Sequence, residues 1–312
     1  MTISIINEKP LVFASADPAY PKLARILREQ LCGLDPKPFS FKLAEGYAAM
    51  ERYRFVYPAK HILFNLETRE AIKYFASEKV PQFLRELRRK VNDVDYVVKG
   101  ISRLRYNLRI RFIEDRQGYC LQPHRDSSDT IFSFIFHLEA SNPQTTIYTK
   151  IKEDYLSGNV FADNPEVRQS IAKIILSRSP GALITWGHAQ FNGIPCVWTN
   201  VGTCYQVEWF GGKPLLSEYR ESVLTGNFGE IYGIHNVNKG RINSSTHLQF
   251  NLNSFHGVRP VTVPSRKIVI MDLLAHEVND PMLAVEGVGN DDDSFFIIYR
   301  EDTCISLSRI IE

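Results

Sequence analysis

Tyr119-Cys120-Leu121-Gln122-Pro123-His124-Arg125-Asp126 sets an imidazole and a carboxylate two residues apart. On an extended chain successive side chains point to opposite faces, so His124 and Asp126 share one face and can reach a common point. Such a pair is half of a metal site. An iron(II) centre that must also admit a cosubstrate and oxygen uses few protein ligands, two His and one carboxylate on one face of an octahedron. A second histidine is therefore expected downstream.

On either side of this stretch the chain has the period of strands. From Ile101 to Phe112, Ser102, Leu104, Tyr106, Leu108, Ile110 and Phe112 share one face, while Ile101, Arg103, Arg105, Asn107, Arg109 and Arg111 share the other. The four arginines suit a solvent-facing edge dressed in charge; the alternative is a wall that holds an anionic substrate. After a turn at Gln117-Gly118 and the His-Asp pair, Ile131 to Leu138 alternates again. Phe132, Phe134, Phe136 and Leu138 oppose Ile131, Ser133, Ile135 and His137, and His137 is read as an ordinary strand histidine.

The expected second imidazole is His256, in Leu248-Gln-Phe-Asn-Leu-Asn-Ser-Phe-His256-Gly-Val-Arg-Pro260, on the strand face of Leu248, Phe250 and Leu252. Ten residues on, Arg266 opens a strand running to Leu274, in parity with Ile268 and Ile270. A guanidinium pointing into a closed sheet needs an anionic partner, because an unpaired buried charge is very costly. A bound dicarboxylate, held bidentately, would be such a partner.

Composition frames these motifs. The chain has 312 residues, 44% hydrophobic and 23% charged, with a formal net charge of +2. That is ordinary for a globular protein and supplies no long-range attraction to nucleic acid or anionic membrane. No apolar run approaches the roughly 20 residues of a membrane span. The amino-terminal residues lack the order of a secretory signal, so a cytoplasmic protein is expected. Cys32, Cys120, Cys196, Cys204 and Cys304 are scattered, which favours reduced thiols. Cys120 is read as a buried structural thiol, although its nearness to His124 makes it a conceivable ligand.

Residues 1–100 read as a mixed, partly helical flank. Helices are expected from Pro21 to Leu31 and from Thr68 to Val91, the second broken near Pro81, with Arg85 to Lys90 a solvated face. In residues 139–245 a helix is expected from Pro165 towards Pro180-Gly181. Short strands follow at Ala182–Trp186, Cys196–Trp198 and Thr203–Phe210, with loops at Gly211-Gly212 and Gly226–Gly233. The segment is expected to be an insertion that supplies a lid or an oligomer contact.

With His124-Arg-Asp126, Phe255-His256-Gly-Val-Arg-Pro-Val261 and Arg266 in this order, the chain resembles the iron(II)/2-oxoglutarate-dependent dioxygenases, in particular their prolyl-4-hydroxylase-like branch. The resemblance covers residues 101–138 and 246–274. It implies a mainly β, α+β chain: one domain over residues 1–312, a double-stranded β-helix (jelly roll) with amino-terminal helices and a large insertion. It implies iron(II) held by His124, Asp126 and His256, and 2-oxoglutarate held by Arg266 with help from Tyr106 or Tyr119. O2 would be the oxidant and ascorbate a candidate reductant.

The activity implied is decarboxylation of 2-oxoglutarate to succinate and CO2, coupled to hydroxylation of an unactivated C–H bond. Related halogenases replace the carboxylate ligand by a small residue to admit chloride, so Asp126 favours hydroxylation. The expected substrate is a small molecule such as a free amino acid, in a barrel lined by Phe and Ile. Alternatives are a prolyl or other protein hydroxylase, and a cupin-like metal protein that does not use 2-oxoglutarate. His188 competes with His256 as distal ligand but has Trp198, not arginine, ten residues on. His235, His247 and His276 are read as structural or surface groups.

Overall fold

The computed structural model describes residues 3–8, 11–39, 53–63, 65–90, 104–124, 126, 130–139, 145–156, 165–191, 194–210, 213–235, 255–277, 295–300 and 306–310. The chain is mainly β, in two antiparallel sheets with flanking helices. In the first sheet β1 (Ile3–Glu8), β2 (Leu11–Ala16), β13 (Glu230–His235), β7 (Thr130–His137), β15 (Ser265–Glu277), β5 (Leu104–Arg116), β16 (Phe295–Arg300) and β17 (Ser306–Ile310) lie side by side. Next to β5 also lies β4 (Arg54–Tyr57), itself paired with β3 (Lys37–Pro38). In the second sheet the order is β6 (Leu121–His124), β14 (Phe255–Val258), β8 (Thr145–Tyr155), β12 (Lys213–Thr225), β11 (Thr203–Phe210), β10 (Ile194–Thr199) and β9 (Ile184–Phe191).

The alternation expected in β5 and β7 is present, and it divides the core in two. Leu108, Ile110, Phe112, Phe132, Phe134 and Phe136 are buried together with Tyr20, Leu27 and Leu31 of α1 (Tyr20–Cys32) and Phe83 and Leu87 of α4 (Val80–Lys90). The other face meets the second sheet through an aliphatic cluster of Val12, Ile113, Ile135, Ile147, Ile234 and Ile268. The phenylalanines therefore hold the helices, and the space between the sheets is lined by isoleucine, not by Phe and Ile together. Aromatic rings fill the deeper gap between sheet and helix, while β-branched side chains suit the closer contact of two pleated surfaces.

After α2 (Ala59–Leu63), α3 (Leu66–Tyr74) starts on Asn65, whose side chain accepts from the Thr68 amide at 3.0 Å. The break expected near Pro81 is a wider π turn over Phe75–Lys79, just before α4. Proline lacks an amide hydrogen and collides with the carbonyl four residues back, so the ladder loosens ahead of it. Arg85 and Arg89 are exposed as expected.

Residues 139–245 differ from the expected insertion. They contribute β8, which pairs with β14, and β13, which pairs with β7 and β2, so both belong to the sheets around the site. Here α5 (Pro165–Arg178) packs through Val167, Ile171 and Ile175 on Val197, Tyr205, Val207 and Leu216. The loop expected at Gly226–Gly233 is a strand from Glu230 onward. A Cβ on Gly233 would lie 2.9 Å from Phe83 and 3.0 Å from Phe134. Gly233→Ala is thus expected to destabilise the fold by about 1–3 kcal/mol through overpacking. A thermal melt unchanged from the parent would contradict that close contact.

Candidate metal centre

Residue pairing explains why distant residues meet. His256 of β14 pairs directly with His124 of β6, so the two imidazoles project from neighbouring positions, ring centroids 4.4 Å apart. Asp126 follows β6 and turns its carboxylate to both. Its Oδ1 lies 3.8 Å from His124 Nε2 and 3.6 Å from His256 Nε2. These spacings are longer than a hydrogen bond, yet the three donor atoms all lie within 4.8 Å of one another, close enough for one ion to touch them all. The Ser133 hydroxyl of β7 donates to the other carboxylate oxygen, Oδ2.

Burial alone would raise the Asp126 carboxyl. His256, His124, the Ser133 hydroxyl and Arg111 outweigh it and hold the group below its ordinary range. The carboxylate is thus kept ionised, as a ligand must be. Ser133→Ala is expected to weaken metal binding about 10- to 100-fold, the usual cost of losing a group that orients a ligand. Metal content after dialysis reads this directly, and an unchanged value would mean that Ser133 does not orient the carboxylate.

Arg266 is 1% exposed on the inner face, as its parity indicated. Its Nη2 donates to Thr145 Oγ1 at 2.8 Å, and Nη1 lies 3.7 Å from Asp115 Oδ2. Among the described residues, Nε and Nη1 have no hydrogen-bond acceptor. Asp115 is already occupied, accepting from Arg54 Nε at 2.6 Å and Nη2 at 2.9 Å. A buried guanidinium with unused donors, next to a spent carboxylate, fits an incoming anion.

Of the two tyrosines expected to assist, Tyr119 lies beside Arg266, while Tyr106 is nine residues away along the paired strand. Tyr119 is 1% exposed, its ring lies under the Arg54 guanidinium at 4.3 Å, and its hydroxyl has no described partner. Burial pushes that hydroxyl up, while Arg54 and Arg266 pull the other way, so it stays a neutral donor. Tyr106 pairs with Ala275, at the opposite end of β15 from Arg266, too far along the strand to share a ligand with it.

His137 is a histidine of strand β7, as expected. It is fully buried across from Ile268, with Nε2 3.3 Å from Thr225 Oγ1 and Nδ1 without a described partner. Burial, then Arg266, holds it well below the usual imidazole range, so it is neutral. Cys120 is exposed, contrary to the expected buried thiol, and Cys204 is the buried cysteine among the described residues. His188 lies on β9, while the place beside His124 is taken by His256. His247 and the strand expected at 248–252 lie outside the described residues.

The arginine face of β5 is the largest correction. With β15 on one side and β4 and β16 on the other, β5 is not an edge. Arg109 and Arg111 lie on the face of Ile113 and Asp115, towards the second sheet, and both donate to Asp272. Arg54, on β4 ahead of the first strand read from the sequence, was missed because a lone arginine has no period to betray it. Among the described residues, no helix is long and apolar enough to cross a membrane. Comparison with protein-family models, curated proteins and solved structures finds no match.

Proposed function

We propose that the chain is an iron(II)/2-oxoglutarate-dependent dioxygenase, built on a double-stranded β-helix, that hydroxylates an unactivated C–H bond of a small molecule such as a free amino acid and releases succinate and CO2. The observation that carries this reading is the pairing of a His-Asp-His cluster with a fully buried arginine, Arg266, two of whose nitrogens, Nε and Nη1, have no acceptor among the described residues. The jelly-roll reading is supported by strand order. β5, β7, β13 and β15 lie in one sheet and β6, β8, β12 and β14 in the other, so the chain passes repeatedly between the sheets.

Two imidazoles and one carboxylate match the set used by non-haem iron enzymes, which leave positions for other ligands. The same donors also hold catalytic zinc, so the preference for iron(II) rests on the buried Arg266 beside them, which suits a diacid cosubstrate. His124, Asp126 and His256 would hold the metal. Arg266 and Thr145, with the Tyr119 hydroxyl, would hold the far carboxylate of 2-oxoglutarate. Bound together with O2, the metal and cosubstrate supply an oxidant strong enough to take hydrogen from an unactivated carbon. Ile113, Ile135, Ile147 and Ile268 form a dry aliphatic wall that keeps water from the reacting carbon.

One observation favours a cupin-like metal protein without 2-oxoglutarate: Arg266 does face a carboxylate, Asp115, at 3.7 Å. That oxygen is also bound by Arg54, so the ion pair satisfies Arg266 only in part. An anaerobic titration with iron(II) and 2-oxoglutarate separates the readings. The dioxygenase shows the weak visible charge-transfer band of the chelate, and in air it converts labelled 2-oxoglutarate to succinate. Absence of both the band and succinate across a broad substrate panel would overturn the proposal.

A further inference from the structure

At the other end of the inner face of β15 lies a second basic group. Arg266 pairs with Asp115, and the inner residues then run through Ile268 and Ile270 to Asp272, which pairs with Arg109. Asp272 Oδ2 accepts from Arg109 Nη2 at 2.8 Å and from Arg111 Nη2 at 2.7 Å, so one carboxylate oxygen serves two guanidinium groups. The Arg111 side chain is 16% exposed, and its Nε is buried without a described acceptor. Phe39 covers its guanidinium, the ring centroid 5.8 Å away. Burial, then the like charges of Arg109 and Arg54, hold it below the ordinary arginine range against the pull of Asp272.

This group is joined to the metal site by register. Asp272 pairs with Arg109 on one side and with Ser133 on the other, and Ser133 donates to Asp126. Arg111 is also close enough to stabilise the Asp126 carboxylate. Here a half-dry guanidinium is oriented by a shared aspartate, keeps an unused donor and faces the reaction space, as a preorganised anion site requires.

We infer that Arg111, oriented by Asp272 beside Arg109, binds a carboxylate of the substrate, so that the molecule acted on is a small carboxylic acid whose aliphatic body lies along Ile113, Ile135 and Ile270. This rests on the dioxygenase reading above. The two anion sites lie at opposite ends of an aliphatic floor, Arg266 for the cosubstrate and Arg111 for the substrate. A carboxylate at Arg111 could in principle come from a second 2-oxoglutarate, and the test distinguishes the two sources.

The full chain, loaded anaerobically with iron(II) and 2-oxoglutarate, is melted with a panel of free amino acids, hydroxy acids and short aliphatic acids, each beside its carboxamide. At least one acid is expected to raise Tm where its amide does not. Arg111→Gln is expected to weaken that acid about 10- to 100-fold, the value of a charge-assisted hydrogen bond, while the shift caused by 2-oxoglutarate is reduced by less, through the lost charge beside Asp126, and is retained. Retention of that shift also shows that the variant is folded; should it not fold, Arg111→Lys, which keeps the charge but loses the fork, is expected to show an intermediate loss.

Equal stabilisation by acid and amide, an acid that binds the variant as tightly as the parent, or no response to any acid overturns the inference. Loss of the 2-oxoglutarate shift in Arg111→Gln, with Arg266→Gln unaffected, overturns it by assigning Arg111 to the cosubstrate. Absence of any 2-oxoglutarate effect on the parent protein instead defeats the proposed function, while the acid-against-amide comparison still reads Arg111.

Discussion

His256→Ala is expected to leave a folded chain that no longer retains iron(II) and forms no charge-transfer band with 2-oxoglutarate. The imidazole supplies one of three donor atoms, and its partner His124 cannot replace it from the adjacent strand. Losing a group that merely orients a ligand costs about 10- to 100-fold in affinity, so losing the ligand itself should exceed about 100-fold. The backbone consequence is small. His256 pairs through its main chain with β6 and β8, and alanine preserves those hydrogen bonds. Iron content after anaerobic gel filtration and a far-ultraviolet spectrum decide the matter together. Iron retained by His256→Ala but lost from His188→Ala would move the distal ligand to His188.

Arg266→Ala is the complementary case, with metal binding kept and cosubstrate binding lost. The guanidinium is not among the groups surrounding Asp126, so the three donors stay in place. Removing one partner of a buried charge pair typically costs about 2–5 kcal/mol, roughly thirtyfold or more in affinity. Part of the change will also be felt in stability. Asp115 keeps both bonds from Arg54, so no carboxylate is stranded, and the loss should be that of packing around a deleted side chain. The midpoint of the anaerobic 2-oxoglutarate titration, measured beside the iron titration, is the decisive pair of numbers. Parallel loss of iron and cosubstrate would show that Arg266 supports the metal site and does not grip the diacid.

The strands around the site were legible wherever one face differed in character from the other. Leu108, Ile110 and Phe112 against Arg109 and Arg111 is such a contrast, and so is Phe132, Phe134 and Phe136 against Ser133, Ile135 and His137. Period two then located β5 and β7 closely, and parity alone turned Arg266 inward. Of the strands that went unread, β8 and β12 are polar along much of their length. In Thr145–Tyr155 the burial runs from buried Thr and Ile to exposed Lys and Glu, so no face is apolar throughout. Such strands are specified by their neighbours, through hydrogen bonds to β14 and to each other.

The direction in which a charged face looks is likewise invisible to pattern. Alternation separates Arg109 and Arg111 from Leu108 and Ile110, but both faces of a central strand are buried. Which one meets helices and which one meets the other sheet depends on what the rest of the chain brings. The phenylalanines went to the helices and left the arginines facing the site.

By itself the sequence determined the local chemistry: which residues are candidate metal ligands, and which side chains share a face along β5, β7 and β15, because side-chain alternation is a property of the extended backbone. Only the tertiary structure decided that His256 lies against His124, that Asp115 is shared between Arg54 and Arg266, and that Asp272 gathers Arg109 and Arg111 beside Ser133. Those are contacts between strands distant in the chain. Their register is set by burial and hydrogen bonding across the two sheets, where no single stretch of residues carries the information.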